Sequence, residues 1–203
     1  NHIPFADHGA LLDPPTADVT ARCVGMLAQL DAEKYAEPIR KGVAFLKSEQ
    51  EEDGSWFGRW GTNYVYGTWS VLCALNAAGE DTKAPYIQRA VEWLRDRQSD
   101  DGGWGEDGAT YWEEERETVK ASTASQTAWA VLALMAVGET ESEAVERGIK
   151  YLLEAPRDGS NWEEPWYTAV GFPKVFYLKY HGYSVYFPLW ALARFRNLKK
   201  GNT

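Results

Sequence analysis

Apolar and polar positions along the chain fall into two alternating kinds of segment. The first kind is apolar nearly all round: a run through positions 24–30 opened by Thr20, one from Thr68 to Ala74 and Leu75, one over 128–137, and one over 187–195. A helix without a polar face is a buried helix. The second kind carries apolar residues at helical spacing, as in Ile87, Ala90, Val91 and Leu94, with Arg89, Glu92, Arg95 and Asp96 between them. Such a helix buries one face and keeps the other in water. The two kinds alternate through three pairs and part of a fourth. The pattern predicts an all-α protein, a partial α/α toroid in which inner helices are wrapped by outer ones. The number of pairs is that of a fragment of an (α/α)6 barrel.

A recurring phrase fixes the register of these pairs. Lys41-Gly42-Val43-Ala44-Phe45-Leu46 leads to Gln50 and then Asp53-Gly54-Ser55-Trp56. Arg89-Ala90-Val91-Glu92-Trp93-Leu94 leads to Gln98 and then Asp101-Gly102-Gly103-Trp104. A third copy, Arg147-Gly148-Ile149-Lys150-Tyr151-Leu152, reaches Asp158-Gly159-Ser160-Asn161-Trp162 with Pro156 in place of the glutamine. Self-similarity of this kind marks a repeat protein. The glutamines fall at the ends of outer helices, where backbone carbonyls lack intrahelical partners. Asp-Gly supplies the turn that stops the helix. The phrase therefore reads as a clamp between repeats and not as chemistry. Proline cannot make the glutamine's hydrogen bonds, so the third clamp is expected to be the weakest.

Composition narrows the class. With 44% hydrophobic residues the chain can bury a sizeable core, and its length suits one domain over 1–203. A net charge of −9 argues against nucleic acid as a partner. No apolar run approaches the ~18 residues of a membrane span. Cys23 and Cys73 both fall on inner-helix segments and read as small core residues of a protein from a reducing compartment. Positions 1–17 hold three prolines, show no helical period and read as an irregular entry loop, with Asp18 as N-cap of the first inner helix. The chain begins at Asn1 without a signal-like segment and reads as a piece of a longer protein.

Four longer segments go further. They are 12–21 (LDPPTADVTA), 58–68 (GRWGTNYVYGT), 121–129 (ASTASQTAW) and 171–178 (GFPKVFYL). Together with the clamps, the chain resembles the C-terminal third of bacterial squalene–hopene cyclases along its whole length. The resemblance implies two α/α barrel domains around a large apolar cavity in the complete protein. It also implies peripheral attachment to the cytoplasmic side of the bacterial inner membrane and no cofactor or metal. The implied substrate is squalene or a similar linear polyprene. The implied reaction is protonation of a terminal alkene by an aspartic acid, a series of ring closures, and quenching to hopene or hopanol. The family's acid lies in an Asp-x-Asp-Asp motif that this chain does not contain. The expectation is that the acid lies in a missing N-terminal part and that the chain alone is inactive.

The same resemblance assigns residues. Phe172, Phe176, Tyr180 and Tyr183 recur at four, four and three residues. On a helix or helical turn they would share one face, and spacing alone makes them an ordinary core stripe. By resemblance they match cavity-lining aromatics, Phe172 and Phe176 serving middle and later cations, Tyr180 and Tyr183 shaping the cavity near the early rings. A cation over a desolvated aromatic face gains on the order of 2 kcal/mol. Trp60 lies outside every clamp, and the resemblance places it on the cavity wall, with Phe5 as a loop aromatic nearby. Arg22 would hydrogen-bond the acid and raise its acidity, since a neighbouring cation favours the carboxylate. Tyr66 would belong to the network that reprotonates the acid. His8 receives no role.

Four rival readings have distinguishing features. Another terpene cyclase that starts with an acid would keep the same wall with a different polyprene. Zinc-dependent prenyltransferase subunits share the toroid, but His2, His8 and His181 and the two cysteines have no ligand-like neighbours. A carbohydrate-active toroid needs paired carboxylates, and the one dense acidic run, Glu113-Glu114-Glu115, reads as a solvated loop. A helical scaffold would bind a partner in its groove. The open edge of an incomplete ring is also a surface on which two copies of the chain could form a homodimer.

Overall fold

A computed structural model describes residues 14–201; Phe5 and His8 lie outside them. Four helices form the inner row: α1 (Ala17–Asp31), α3 (Tyr64–Ala77), α5 (Ala124–Ala136) and α7 (Tyr183–Lys199). Each packs on the next, α1 on α3, α3 on α5 and α5 on α7. Three helices form the outer row: α2 (Ala36–Ser48), α4 (Pro85–Asp96) and α6 (Glu143–Glu154). Among the described residues the chain is thus a partial α/α toroid with three helix pairs and a fourth inner helix. All thirteen residues of α5 are buried, as an apolar helix between two neighbours requires. On α4 the buried positions are Ile87, Ala90, Val91, Trp93 and Leu94, and the charged positions between them face out.

The clamps divide their work in a way the spacing did not reveal. Each tryptophan caps its own outer helix. The indole Nε1 of Trp56, Trp104 and Trp162 donates to the carbonyl of Leu46, Leu94 and Leu152 at 2.7, 2.7 and 2.8 Å. Each glutamine reaches the next repeat instead. Gln50 donates to Gly54 O and to Tyr86 O at the start of α4, and Gln98 donates to Gly102 O and to Ala144 O at the start of α6. Pro156 falls where no outer helix follows among the described residues. The third clamp therefore keeps its tryptophan cap and lacks both the glutamine's bond within its own turn and a tie to a following repeat. Gly54 and Gly102 sit at φ +97° and +88°, and a Cβ on either would press within 2.8 Å of the carbonyl of Arg89 or Arg147.

Two antiparallel hairpins interrupt the helices. One pairs β1 (Arg157–Asp158) with β2 (Asn161–Trp162), and the other pairs β3 (Ala169–Phe172) with β4 (Phe176–Leu178). Two further expectations change. Asp18 is not the N-cap of α1: the cap position is Thr16, whose side chain makes no bond to a helix amide, and Asp18 lies inside the first turn. Cys23 is exposed, because among the described residues α1 stands at one end of the inner row; Cys73 is partly covered.

Candidate functional site

The loop carrying Trp60 is held by three separate devices. The Asp18 carboxylate, 1% exposed, accepts the backbone amides of Arg59 and Trp60 at 3.0 and 2.8 Å, and also bonds the Thr16 hydroxyl and the Val19 amide. The buried Tyr111 hydroxyl donates to the carbonyls of Gly58 and Gly61. Strand β3 then pairs with the loop, Thr62 N donating to Thr168 O and Val170 N to Trp60 O. Backbone fixed from both sides in this way presents the Trp60 ring at a defined place, with 37% of the residue still exposed.

The stripe at 172–183 is not a helix. Phe172 and Phe176 are cross-strand partners of the β3–β4 hairpin, their ring centroids 5.2 Å apart. Helical spacing arises here because a tight turn brings residue i+4 opposite residue i. Lys174 takes the turn at φ 66°, and a register shift lies between Val170 and Phe172. Gly171 makes room for Phe176, whose ring would lie 2.0 Å from a Cβ there. Tyr177 stacks on Tyr111 at 6.1 Å and donates to Gly108 O. Tyr180 and Tyr183 belong to the entry of α7, their rings 5.1 Å apart.

The candidate residues gather in two clusters. In the first, the Arg59 guanidinium lies 4.2 Å from the Trp60 ring centroid and 5.4 Å from that of Phe172, with Phe176 beyond. In the second, Trp69 and Trp129 stack at 5.7 Å. Tyr66 packs on Trp129 at 5.0 Å, and Tyr183 packs on it at 5.8 Å. Arg22 is exposed and covers Trp69 at 4.1 Å and Tyr66 at 5.8 Å. Burial pushes the Tyr66 hydroxyl above its ordinary value, opposed by the nearby Arg22 cation and its hydrogen bond; Asp18 and Tyr180 add to the rise. A phenol in that setting keeps its proton at neutral pH. The clusters border different spaces: Arg22 lines a groove of about 710 Å³ with Ser70, Trp190 and Arg194, and Trp60 lines one of about 630 Å³ with Val19, Cys23 and Pro38.

Several supporting residues escaped sequence reasoning. Arg59 and Asp18 organise the first cluster, and Trp69, Trp129 and Phe187 the second. Glu106 is buried and accepts the amides of Asn63 and Val65 at the start of α3, and Glu164 accepts that of Ser125 at the start of α5. Each glutamate stands two positions after a clamp tryptophan, so the repeat register held a signal for both. Burial pushes the Glu106 carboxyl up to about 7 against the pull of those amides, and it pushes Glu164 up as well. The acidic run at 113–115 is an exposed 3-10 turn.

A type II terpene cyclase from Scytonema superposes with a TM-score of 0.61 at 18% identity over 96% of this chain and 62% of its own. A polysaccharide lyase superposes with a TM-score of 0.58 at 18% identity over 91% and 62%, so the toroid by itself does not select a chemistry. Sequence does discriminate. A protein of Sinorhizobium fredii named as a probable squalene–hopene cyclase is 60% identical over the whole of this chain and 32% of its own length. The chain spans about a third of the length of such curated relatives. Residues 1–197 match the squalene–hopene cyclase C-terminal domain, and the chain belongs to that family.

Proposed function

We propose that the chain is the C-terminal part of a cyclase that converts squalene, or a similar linear polyprene, to pentacyclic hopene or hopanol. The observation that carries this reading is the hairpin cluster. Phe172, Phe176 and Trp60 are gathered on one rigid frame, with Trp60 and Phe176 keeping 37% and 41% of their surface open. Aromatic faces stabilise charge that develops only as a ring closes, so they lower the barrier of the step without tightening substrate binding. Tyr180 and Tyr183 belong to the second cluster and shape the cavity from the side of α7. Arg22 and Tyr66 support the initiating acid: Arg22 favours its ionised partner state, and Tyr66 returns the proton. The acid itself is supplied by the remainder of the longer polypeptide, which meets squalene at one face of the membrane.

The test is conversion of squalene in detergent by the full-length polypeptide and by this chain alone. The full-length protein is expected to form hopene or hopanol, and the chain alone nothing above a protein-free control. Pentacyclic product from the chain alone would show that the acid lies within it. Absence of any cyclised product from the full-length protein would overturn the assignment.

A further inference from the structure

The proposal concerns Arg59 and rests on the cyclase reading. Arg59 is 7% exposed, an unusual place for a guanidinium. Its backbone amide is fixed by the buried carboxylate of Asp18. Its side chain crosses to the hairpin, where one terminal nitrogen donates to Gly171 O at 2.9 Å. On the way the planar head lies against Trp60 at 4.2 Å and near Phe172 at 5.4 Å. A guanidinium can stack on a ring and hydrogen-bond in its own plane at once, whereas an ammonium offers no plane. Gly171 is also the residue against which the Phe176 ring rests. One side chain thus ties Trp60, Phe172 and Phe176 into a fixed arrangement, although they come from segments more than a hundred positions apart in sequence (the Arg59–Gly171 bond spans 112).

We propose that Arg59 is a positioning residue that sets the spacing of the Trp60, Phe172 and Phe176 rings, and so determines at which ring closure the cation is released. The rings are useful only when each faces the carbon that carries charge at its own step. A displacement of about 1 Å costs a well-placed catalytic group up to about a hundredfold. Loosening the frame therefore lets a mid-cascade cation lose a proton before the last rings form. The effect falls on the product ratio, which a residue serving only fold stability would leave unchanged.

The experiment uses the full-length polypeptide with squalene and reads the ratio of partly cyclised to pentacyclic products, alongside thermal stability. Arg59→Lys retains charge and reach, and Arg59→Met retains the apolar stem. Both are expected to raise the ratio at least about tenfold, and adding Phe172→Ala to either is expected to raise it less than twofold further. A folded Arg59→Lys or Arg59→Met enzyme with slower turnover and the wild-type ratio would overturn the proposal. Failure of both variants to fold would assign Arg59 to stability alone and overturn it equally. If the unsubstituted protein forms no cyclised product, it is the cyclase reading that fails, and the two failures are told apart.

Discussion

Removing one glutamine of the clamp tests the division of labour between its parts. In Gln98→Ala the helix α4 keeps its tryptophan cap, because Trp104 Nε1 still donates to Leu94 O. What is lost is the pair of bonds from Gln98 Nε2 to Gly102 O and Ala144 O, at 2.8 and 2.9 Å. Each such bond contributes about 1 kcal/mol net, so the expected loss is about 2 kcal/mol. For a chain of this size about 2–4 °C of melting temperature corresponds to each kcal/mol, a fall of about 4–8 °C. Gln50→Ala should behave alike, since its exposed partner Arg89 adds little. Pro156→Gln is the control. No outer helix follows α7 among the described residues, so the new glutamine has no next-repeat carbonyl to tie, and the variant is expected to gain at most one bond within its own turn, about 1 kcal/mol. Melting followed by circular dichroism at 222 nm reads all three. A fall below about 2 °C for Gln98→Ala, or a rise for Pro156→Gln equal to that fall, would refute the reasoning.

Two other outcomes follow from buried groups. The folded-state value of Glu106 is raised from 4.5 to about 7 by burial, so between those values the folded chain holds a proton that the unfolded chain has released. Stability from this group is full below about pH 4.5 and is lost as pH rises through about 7, an effect of about 3 kcal/mol; Glu106→Gln should flatten the denaturant midpoint over that window, leaving the slope that Glu164, also raised by burial, contributes. Burial likewise pushes the Cys73 thiol up to about 11, so a thiol reagent at pH 7 should label exposed Cys23 at least about tenfold faster, as read by mass spectrometry of the two peptides.

The helix pairs were legible in the sequence because one mechanism, burial of an apolar helix against an amphipathic one, is repeated with the same period. The clamp tryptophans and glutamines were legible for the same reason, though not their separate partners, which lie in different repeats. The hairpin was misread because Phe172 and Phe176 meet across a turn at the separation a helix would also give. Gly171, Pro173 and the apolar-polar alternation after Val175 were the local signals against a helix. Asp18 reads as a cap from its neighbours, but its carboxylate serves amides 41 and 42 positions away. Arg59 carried no signal at all, since a single basic residue between Gly58 and Trp60 reads as surface until the hairpin is placed beside it.

The most direct measurement is the product distribution of Phe176→Ala in the full-length polypeptide supplied with squalene. Phe176 keeps a ring open beside Phe172 and no hydrogen bond depends on its side chain, so the substitution removes a π face and little else. Loss of a cation–π contact of about 2 kcal/mol slows one mid-cascade step about thirtyfold, enough for proton loss to compete. Partly cyclised products should therefore appear at the expense of pentacyclic ones. Slower formation of the wild-type product with no truncated products would contradict the cation-wall account and return Phe172 and Phe176 to ordinary packing.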